Sequence, residues 1–407
     1  MGLLISFAAL FASVILLQLG LGGVVPLDAL SGVVLGFSTT EIGVLGSAHF
    51  FGFFIGCWWA PRILGEVGHS RAFAAFTAAG TISILAHMMV PEPWAWVALR
   101  LLTGVSVAGC YTIIEAWLQA KLTNESRGRA MGVYRVVDIA GNLGAQLLIG
   151  VLEPAVYASY NLLALLCCAA LFPLVLTRAE APPMRDAPRL RPSLAWARSP
   201  LAVAGVIVSG ITGAAFRMVG PIYGLAVGLQ ADQIALFLAA YVVGGAFAQI
   251  PVGWLADRYD RRTVLVWLSV ASGLACGLTV LAAGAGIVAI FLAAAFFGVA
   301  TFPIYSISAA HAHDFAEPGE AVELSAALLF FYAIGATISP VIASLLLAQM
   351  GAQSMFGFLA ISHIALVVFG LIRMRMRPGP DARTSYTYEP RTSFLIGRLL
   401  KSSRRKE

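Results

Sequence analysis

The segment Gly253-Trp254-Leu255-Ala256-Asp257-Arg258-Tyr259-Asp260-Arg261-Arg262 separates two long apolar stretches of the chain. Residues 234–252 before it and residues 263–302 after it contain no Asp, Glu, Lys or Arg. A lipid bilayer explains this arrangement, because two apolar helices can cross the membrane while the charged connection between them stays in water. We therefore interpret the segment, here termed the 253–262 loop, as a short turn between two membrane-spanning helices.

The composition of the whole chain supports the same interpretation. Of its 407 residues, 59% are apolar and only 11% are charged, whereas a soluble protein carries about 25% charged residues. The apolar runs are long and lack the alternation of barrel strands, so we expect the spans to be helical. The net charge of +6 then reports orientation in the membrane rather than binding to nucleic acid.

Apolar segments of about 20 residues, the length needed to cross a bilayer, recur along the chain. We place twelve spans at residues 4–27, 41–62, 70–90, 94–118, 128–150, 156–177, 200–227, 231–255, 263–284, 287–310, 320–347 and 353–374. The Pro- and Arg-rich segment 178–199 divides them into two groups of six. The prediction is an all-α integral membrane protein with two six-helix bundles, residues 1–177 and 200–376, an interdomain loop at 178–199 and a basic tail at 377–407.

Positive charge is distributed on one side of the predicted membrane. With the N-terminus inside, all but two of the 26 Lys and Arg residues fall in inner connections or in the tail. This bias predicts that both termini are cytoplasmic, in a plasma (bacterial inner) membrane. The two exceptions, Arg100 and Arg217, lie within spans. Residues 392–406 mix apolar and basic side chains, so we expect either a short helix on the inner membrane surface or a solvated tail.

The 253–262 loop resembles the G-x-L-A-D-R-x-G-R-R loop of the major facilitator superfamily (MFS), a family of membrane transporters. The matching residues are Gly253, Asp257, Arg258, Arg261 and Arg262. Asp260 replaces the second glycine of the pattern. The resemblance implies a twelve-helix transporter in which these residues form a cytoplasmic latch. The equivalent first-half segment, from Gly56 to Arg62, has Ala60 in place of the acid.

An internal repeat also relates the two halves. A shift of 194 residues places Gly104 on Gly298, Tyr111 on Tyr305 and Gly141 on Gly335. Six spans per half give both halves the same orientation, as in the parallel repeat of MFS transporters, whose substrate site lies between the halves near the membrane midplane.

Two charged residues of the first half are predicted to lie inside the membrane. Arg100 begins a stretch similar to the MFS span-4 pattern R-x-x-Q-G-x-G, whose arginine is linked in the family to proton coupling. Asp138 lies roughly 15 Å along span 5 from the inner surface. Buried charges are costly, so each is either functional or part of a structural ion pair. We predict Asp138 as the protonation site and Arg100 as its partner, with Arg135 as the competing partner.

The substrate cavity is predicted from polar side chains within spans. Arg217 either binds an anionic group of the substrate or extends toward the outer headgroups. Side chains that could add hydrogen bonds are Gln18, Asn142, Gln146, Tyr111, Tyr305 and Tyr241, each with helix packing as the alternative.

Glu115 lies in Glu115-Ala116-Trp117-Leu118, which is followed by Arg127-Gly128-Arg129. This resembles an MFS arrangement, and it is similar to an uncharacterised, YcaD-like group of bacterial permeases. The resemblance implies that Glu115 joins Arg127, Arg129 and Arg135 in an inner charge network that acts as a gate.

The sequence contains no nucleotide-binding loop, nucleophile elbow or metal-ligand cluster, so we expect neither an enzyme nor a cofactor or metal. The leading prediction is a monomeric secondary active transporter for a small organic solute, coupled to protons. Two intramembrane arginines against one acid favour an anionic or zwitterionic solute. The alternatives are efflux of amphipathic drugs by proton antiport, and a non-transporting MFS-like assembly factor.

Overall fold

The computed structural model describes residues 2–121, 127–175, 190–317, 319–376, 386 and 391–393, and the regular secondary structure of these residues is helical. The first half of the chain contains α1 (Gly2–Leu17), a π-helical turn (Gln18–Gly22), α2 (Gly23–Val34), α3 (Thr39–Val67), α4 (His69–His87), α5 (Pro93–Lys121), α6 (Arg127–Leu148), α7 (Tyr157–Ala169) and α8 (Leu171–Val175). The connecting helix α9 (Pro192–Arg198) follows.

The second half continues through α10 (Pro200–Ala226), α11 (Ala231–Arg258), α12 (Arg261–Ala282), α13 (Ile287–Thr301), α14 (Ile304–His313), α15 (Ala321–Met350) and α16 (Gln353–Met376). Each predicted span therefore coincides with one helix or with consecutive helical segments. The first span runs through α1, the π-helical turn and α2 to Val34, well beyond its predicted end at residue 27.

Ten helical stretches in the described residues are long and apolar enough to cross a membrane. They coincide with ten of the twelve predicted spans. The other two predicted spans correspond to α4 and α6, which carry more polar side chains: α4 begins with His69 and Arg71, and α6 includes Arg135 and Asp138. These polar side chains lower the mean hydropathy of α4 and α6 without preventing helix formation.

Side chains at the loops fix where several helices begin. The hydroxyl of Ser38 accepts a hydrogen bond of 3.2 Å from the backbone N–H of Glu41, and the Glu41 carboxylate accepts one of 2.7 Å from the backbone N–H of Ser38. This reciprocal cap satisfies backbone N–H donors at the start of α3 that have no hydrogen-bond partner within the helix. Asp260 caps α12 in a related way, because its carboxylate accepts the backbone N–H of Arg262 at 2.9 Å.

Glycines bring α3 into backbone contact with α5. A methyl group on Gly52 would clash with the carbonyl oxygen of Leu101, and one on Gly104 would clash with the carbonyl oxygen of His49. Small residues at such positions allow membrane helices to approach closely.

The second half repeats this contact between α11 and α13. A methyl group on Gly244 would clash with the carbonyl oxygen of Ala295, and one on Gly298 would clash with that of Tyr241. Gly104 and Gly298 are the pair that the internal repeat superimposes, so the repeat seen in the sequence corresponds to a shared mode of helix packing.

The two halves contact each other at the end of the bundle opposite the 253–262 loop, here termed the far end. Gly43 near the start of α3 faces Ser344 and the backbone of Pro340 on α15, and Gly46 faces Met218 on α10. The end that carries the 253–262 loop is termed the basic end. These close contacts hold the two halves together at the far end.

The connecting helix α9 is fixed to the start of α15 at the basic end. Arg198 donates hydrogen bonds of 2.9 and 2.7 Å to the two carboxylate oxygens of Glu320, and its Nη2 lies 2.6 Å from a carboxylate oxygen of Glu317. The hydrogen bonds from Arg198 lower the pKa of Glu320 below its ordinary value. The segment between the halves therefore has a defined anchor on the second half.

Candidate functional site

A cavity of about 140 Å³ lies between the two halves. Its walls contain both charged and apolar side chains. The lining residues are Leu17, Gln18, Leu21, Gly22, Val25, His49, Phe50, Phe53, Val107, Cys110, Tyr111, Asp138, Ile139, Asn142, Gly213, Arg217, Tyr241, Val242, Phe302, Tyr332, Arg391 and Thr392. Residues from both halves and from the C-terminal tail therefore meet at one site.

Asp138 on α6 is held at the cavity wall by two neutral donors. Gln18 Nε2 donates a hydrogen bond of 2.7 Å to Asp138 Oδ1, and Tyr111 O–H donates one of 2.8 Å to the same oxygen. Gln18 begins the π-helical turn of the first span. Single π-helical turns often occur at functional sites, because the extra residue redirects nearby side chains. The other oxygen of the carboxylate, Oδ2, takes part in neither of these two bonds.

Arg217 on α10 brings a positive charge to the same cavity from the second half. Its side chain lines the cavity and is exposed. His49 on α3 also lines the cavity; its Nδ1 lies 3.4 Å from the hydroxyl of Thr103. His49 was not predicted as a site residue, because a single His in an apolar helix carries no distinguishing pattern.

The predicted pairing of Arg100 with Asp138 is wrong. Arg100 Nε lies 3.5 Å from Asp28 Oδ2, and both side chains are fully buried within the first half. His87 Nε2 lies 3.2 Å from the same oxygen, while Tyr160 donates a hydrogen bond of 2.8 Å to Asp28 Oδ1. Arg100 is absent from the residues that line the cavity.

Asp28 was not predicted to lie inside the membrane, because the first span was predicted to end at residue 27. In the structure, α2 contains Pro26 and continues to Val34, so Asp28 is inside the bundle. A helix can include a proline when neighbouring helices compensate for the missing backbone hydrogen bond. A buried carboxylate requires a partner, and Arg100 supplies the opposite charge.

Glu115 meets the C-terminal tail. Its carboxylate oxygens accept hydrogen bonds from the hydroxyls of Thr392 and Ser393, and Tyr134 O–H lies 3.5 Å from one of them. The predicted network of Glu115 with Arg127, Arg129 and Arg135 did not include these contacts and stays a prediction. The side chains of Arg127 and Arg129 lie outside the described residues, and Arg135 is partly buried on α6.

These contacts also correct the prediction for the tail. Thr392 and Ser393 are buried inside the bundle rather than placed on a membrane surface. The remainder of the predicted surface helix, residues 394–406, lies outside the described residues.

The latch residues of the 253–262 loop have separate partners. Asp257 accepts a hydrogen bond of 2.6 Å from the backbone N–H of Tyr386 and lies 3.6 Å from Arg261. Arg261 is buried, and its Nη1 lies 2.7 Å from Asp314 Oδ1. Arg262 pairs with Asp260 at 2.6 Å.

Of the remaining residues of the loop, Trp254 and Arg258 are exposed and Gly253 is buried. The guanidinium of Arg258 lies 5.3 Å from the ring centre of Trp254, and both contribute to one helix end. Gly253 faces the ring of Tyr386, and a methyl group there would lie 2.7 Å from Tyr386 Cδ1. The loop thus contacts the tail as well as its own half.

The remaining predicted cavity residues divide into two groups. Asn142 and Tyr241 line the cavity. Gln146 donates a hydrogen bond of 3.2 Å to Asn142 Oδ1, and Tyr305 packs edge-on against Tyr332 with ring centres 5.5 Å apart. Gln146 and Tyr305 therefore contact cavity residues without being among the lining residues themselves.

The fold and the cavity define a multi-pass helical membrane protein with a polar site between two bundles. Residues 201–405 match the family model described as Major Facilitator Superfamily. The chain belongs to the major facilitator superfamily, which confirms the predicted family and the predicted all-helical membrane fold.

Curated relatives agree with this assignment. An "Uncharacterized MFS-type transporter" of Yersinia pestis (strain Pestoides F) is 27% identical over 86% of this chain and 89% of its own. An "Uncharacterized MFS-type transporter YcaD" of Escherichia coli O7:K1 (strain IAI39 / ExPEC) is 27% identical over 81% of this chain and 86% of its own. The YcaD-like resemblance seen in the sequence is thereby confirmed.

Solved structures show the same fold at low sequence identity. The nucleoside transporter NupG superimposes with a TM-score of 0.74 at 16% identity, covering 90% of this chain and 99% of its own. A D-xylose–proton symporter superimposes with a TM-score of 0.68 at 14% identity, covering 93% of this chain and 98% of its own.

Proposed function

We propose that the protein is a proton-coupled secondary active transporter that moves a small organic solute through the cavity between its halves. One observation carries the proposal: an acid from the first half, Asp138, and a base from the second half, Arg217, line the same cavity. Ionisable groups inside a membrane bundle are costly and mark solute or ion pathways. Binding that involves both halves favours a change in their relative position, which alternating access requires.

Asp138 is the proposed proton acceptor. Its two donors, Gln18 and Tyr111, are neutral, so they hold the carboxylate in place without compensating its charge. A proton neutralises the carboxylate when Arg217 moves away or engages a solute. Asp28 is a less suitable candidate, because Arg100 and Tyr160 already enclose it within one half.

The solute is proposed to be anionic or zwitterionic. Arg217 lines the cavity, and a guanidinium carries five N–H donors, which suit a carboxylate or a phosphate. Asp138 in the same lining suits the cationic end of a zwitterion. The apolar residues Leu21, Phe50 and Phe53 in the same lining favour the second candidate, efflux of an amphipathic compound by proton antiport.

The state of the transporter follows from where the halves touch. Contacts of Gly43 with Ser344 and of Gly46 with Met218 close the far end. We propose that the basic end is cytoplasmic, as the distribution of Lys and Arg predicts, so this state faces the cytoplasm.

Both termini are then cytoplasmic, and the proposed domains remain residues 1–177 and 200–376 on either side of the interdomain loop. We further propose that the transporter works as a monomer, as membership of the major facilitator superfamily suggests.

A thermal-shift screen of the detergent-purified protein tests the proposal. Metabolites and amphipathic drugs are compared at two pH values, because a ligand that binds only the folded protein raises its melting temperature. We expect a ligand that stabilises the wild type and fails to stabilise Arg217→Ala or Asp138→Asn. Asp232→Asn, which makes the same chemical change at an exposed site, should retain the full shift. A ligand that stabilises all four proteins equally would place the site elsewhere.

A further inference from the structure

Arg391 of the C-terminal tail lies inside a cage of three aromatic rings. Its guanidinium carbon is 5.3 Å from the ring centre of Tyr332, 5.5 Å from that of Phe302 and 5.6 Å from that of Tyr305. Its Nη1 donates a hydrogen bond of 3.2 Å to the hydroxyl of Ser209. Aromatic faces within about 6 Å attract a cation, and the attraction is larger where water is excluded.

The cage is part of the fold and does not depend on the tail for its walls. Tyr305 and Tyr332 belong to α14 and α15, and Phe302 joins α13 to α14. The three rings are 9% exposed or less, and Ser209 on α10 is 2% exposed. Neighbouring aromatic residues support them, since Tyr305 packs edge-on against Tyr332 and Tyr241 packs edge-on against Phe302.

The cage opens onto the proposed solute cavity. Phe302, Tyr332 and Arg391 all line that cavity together with Asp138. The residues that follow Arg391, Thr392 and Ser393, donate hydrogen bonds to Glu115 on the first half. The tail therefore bridges the two halves across the space through which a solute must pass.

A second contact secures the tail at the basic end. The backbone N–H of Tyr386 donates a hydrogen bond of 2.6 Å to Asp257, and its hydroxyl donates one of 3.2 Å to Gln249. The ring of Tyr386 lies against Gly253, where a side chain would clash. The tail is thus held both at the 253–262 loop and inside the cavity.

From this arrangement we infer that Phe302, Tyr305, Tyr332 and Ser209 form a binding subsite for a guanidinium or ammonium group of the solute, and that Arg391 occupies this subsite in competition with the solute. The inference rests on the proposed function and narrows its substrate class, because a solute that engages both this subsite and Arg217 is a zwitterion with its anionic group at Arg217. A solute binds only the fraction of molecules from which Arg391 has withdrawn, so the tail lowers the apparent affinity for the solute by that fraction.

Benzamidinium, a planar amidinium cation, and benzamide, its uncharged counterpart, are matched probes for this subsite. Binding is measured by isothermal titration calorimetry on the detergent-purified full-length protein. We expect Arg391→Ala to bind benzamidinium about tenfold more tightly than the wild type, since the internal competitor is removed while the cage remains. Arg391→Lys keeps a cation in the cage and should bind as weakly as the wild type.

Two control variants distinguish binding at the aromatic cage from effects of removing any positive charge from the tail. Tyr332→Leu in the Arg391→Ala background removes a ring while keeping apolar bulk, and it should reverse the gain by about tenfold. Arg398→Ala removes a tail charge outside the described residues and should bind like the wild type. Melting temperatures establish that each variant is folded.

Equal benzamidinium affinity in the wild type and Arg391→Ala would overturn the inference, as would equal binding of benzamide and benzamidinium to Arg391→Ala. The measurement needs no gradient and no transport. If benzamidinium does not bind, the proposed transport function of Asp138 is unaffected. If the protein does not transport a solute, a positive binding result still supports the subsite.

Discussion

Arg100 pairs with Asp28 inside the first half, with Arg100 Nε and Asp28 Oδ2 separated by 3.5 Å and both side chains fully buried. His87 and Tyr160 complete the surroundings of the same carboxylate. Removing one partner of a buried ion pair leaves the other charge uncompensated in a medium that solvates it poorly. This pair is therefore assigned to the stability of the first bundle.

Asp28→Asn should destabilise the protein by about 3–5 kcal/mol, because it leaves the charge of Arg100 buried without its counterion. The melting temperature of the purified protein measures this loss. The double variant Asp28→Asn with Arg100→Gln should recover part of it, since no uncompensated charge remains. A melting temperature of Asp28→Asn equal to that of the wild type would show that the pair contributes nothing to stability.

Gly104→Ala should destabilise the protein by about 1–3 kcal/mol, because the added methyl group would clash with the carbonyl oxygen of His49 and separate α5 from α3. Gly298→Ala, its counterpart in the second half, should have a similar effect. Gly132→Ala is the matched control, since a methyl group at Gly132 on α6 meets no atom within 4 Å. Thermal unfolding in detergent should rank both clashing variants below this control, and a reversed ranking would contradict the packing described.

The bond between Arg198 and Glu320 should depend on pH in a defined direction. Because the pKa of Glu320 is lowered in the folded protein, its ionised form contributes stability above the ordinary carboxyl pKa of 4.5. That contribution disappears as the pH falls through the lower, folded-state value. The melting temperatures of the wild type and Glu320→Gln should therefore differ slightly at pH 7 and converge below pH 4.5. The difference should be small, because the pair is partly exposed to solvent.

Much of the fold could be predicted from the sequence because the membrane simplifies the physical problem. Apolar length located the spans, and the 253–262 loop together with the repeat of Gly104 and Gly298 indicated two similar halves. In the site, Asp138, Gln18 and Tyr111 were selected individually because polar side chains are costly inside a bilayer. The structure brings them together on one wall of the cavity.

The errors have specific physical causes. The first span was predicted to end at residue 27, so Asp28 was placed outside the membrane and Arg100 was given the wrong partner. The tail was treated as a surface segment, because nothing local in Arg391 or Thr392 indicates that they dock inside a distant cavity. Contacts between residues as far apart as Glu115 and Thr392 depend on tertiary structure, which a single sequence does not display.

Asp138 is proposed to carry the proton that drives solute movement. The most direct test measures proton flux with a pH-sensitive dye trapped inside proteoliposomes, after addition of the ligand found in the thermal-shift screen. We predict ligand-dependent proton movement with the wild type and with Asp232→Asn, and at least a tenfold loss with Asp138→Asn even though that variant remains folded. Undiminished ligand-dependent proton flux with Asp138→Asn would contradict the account.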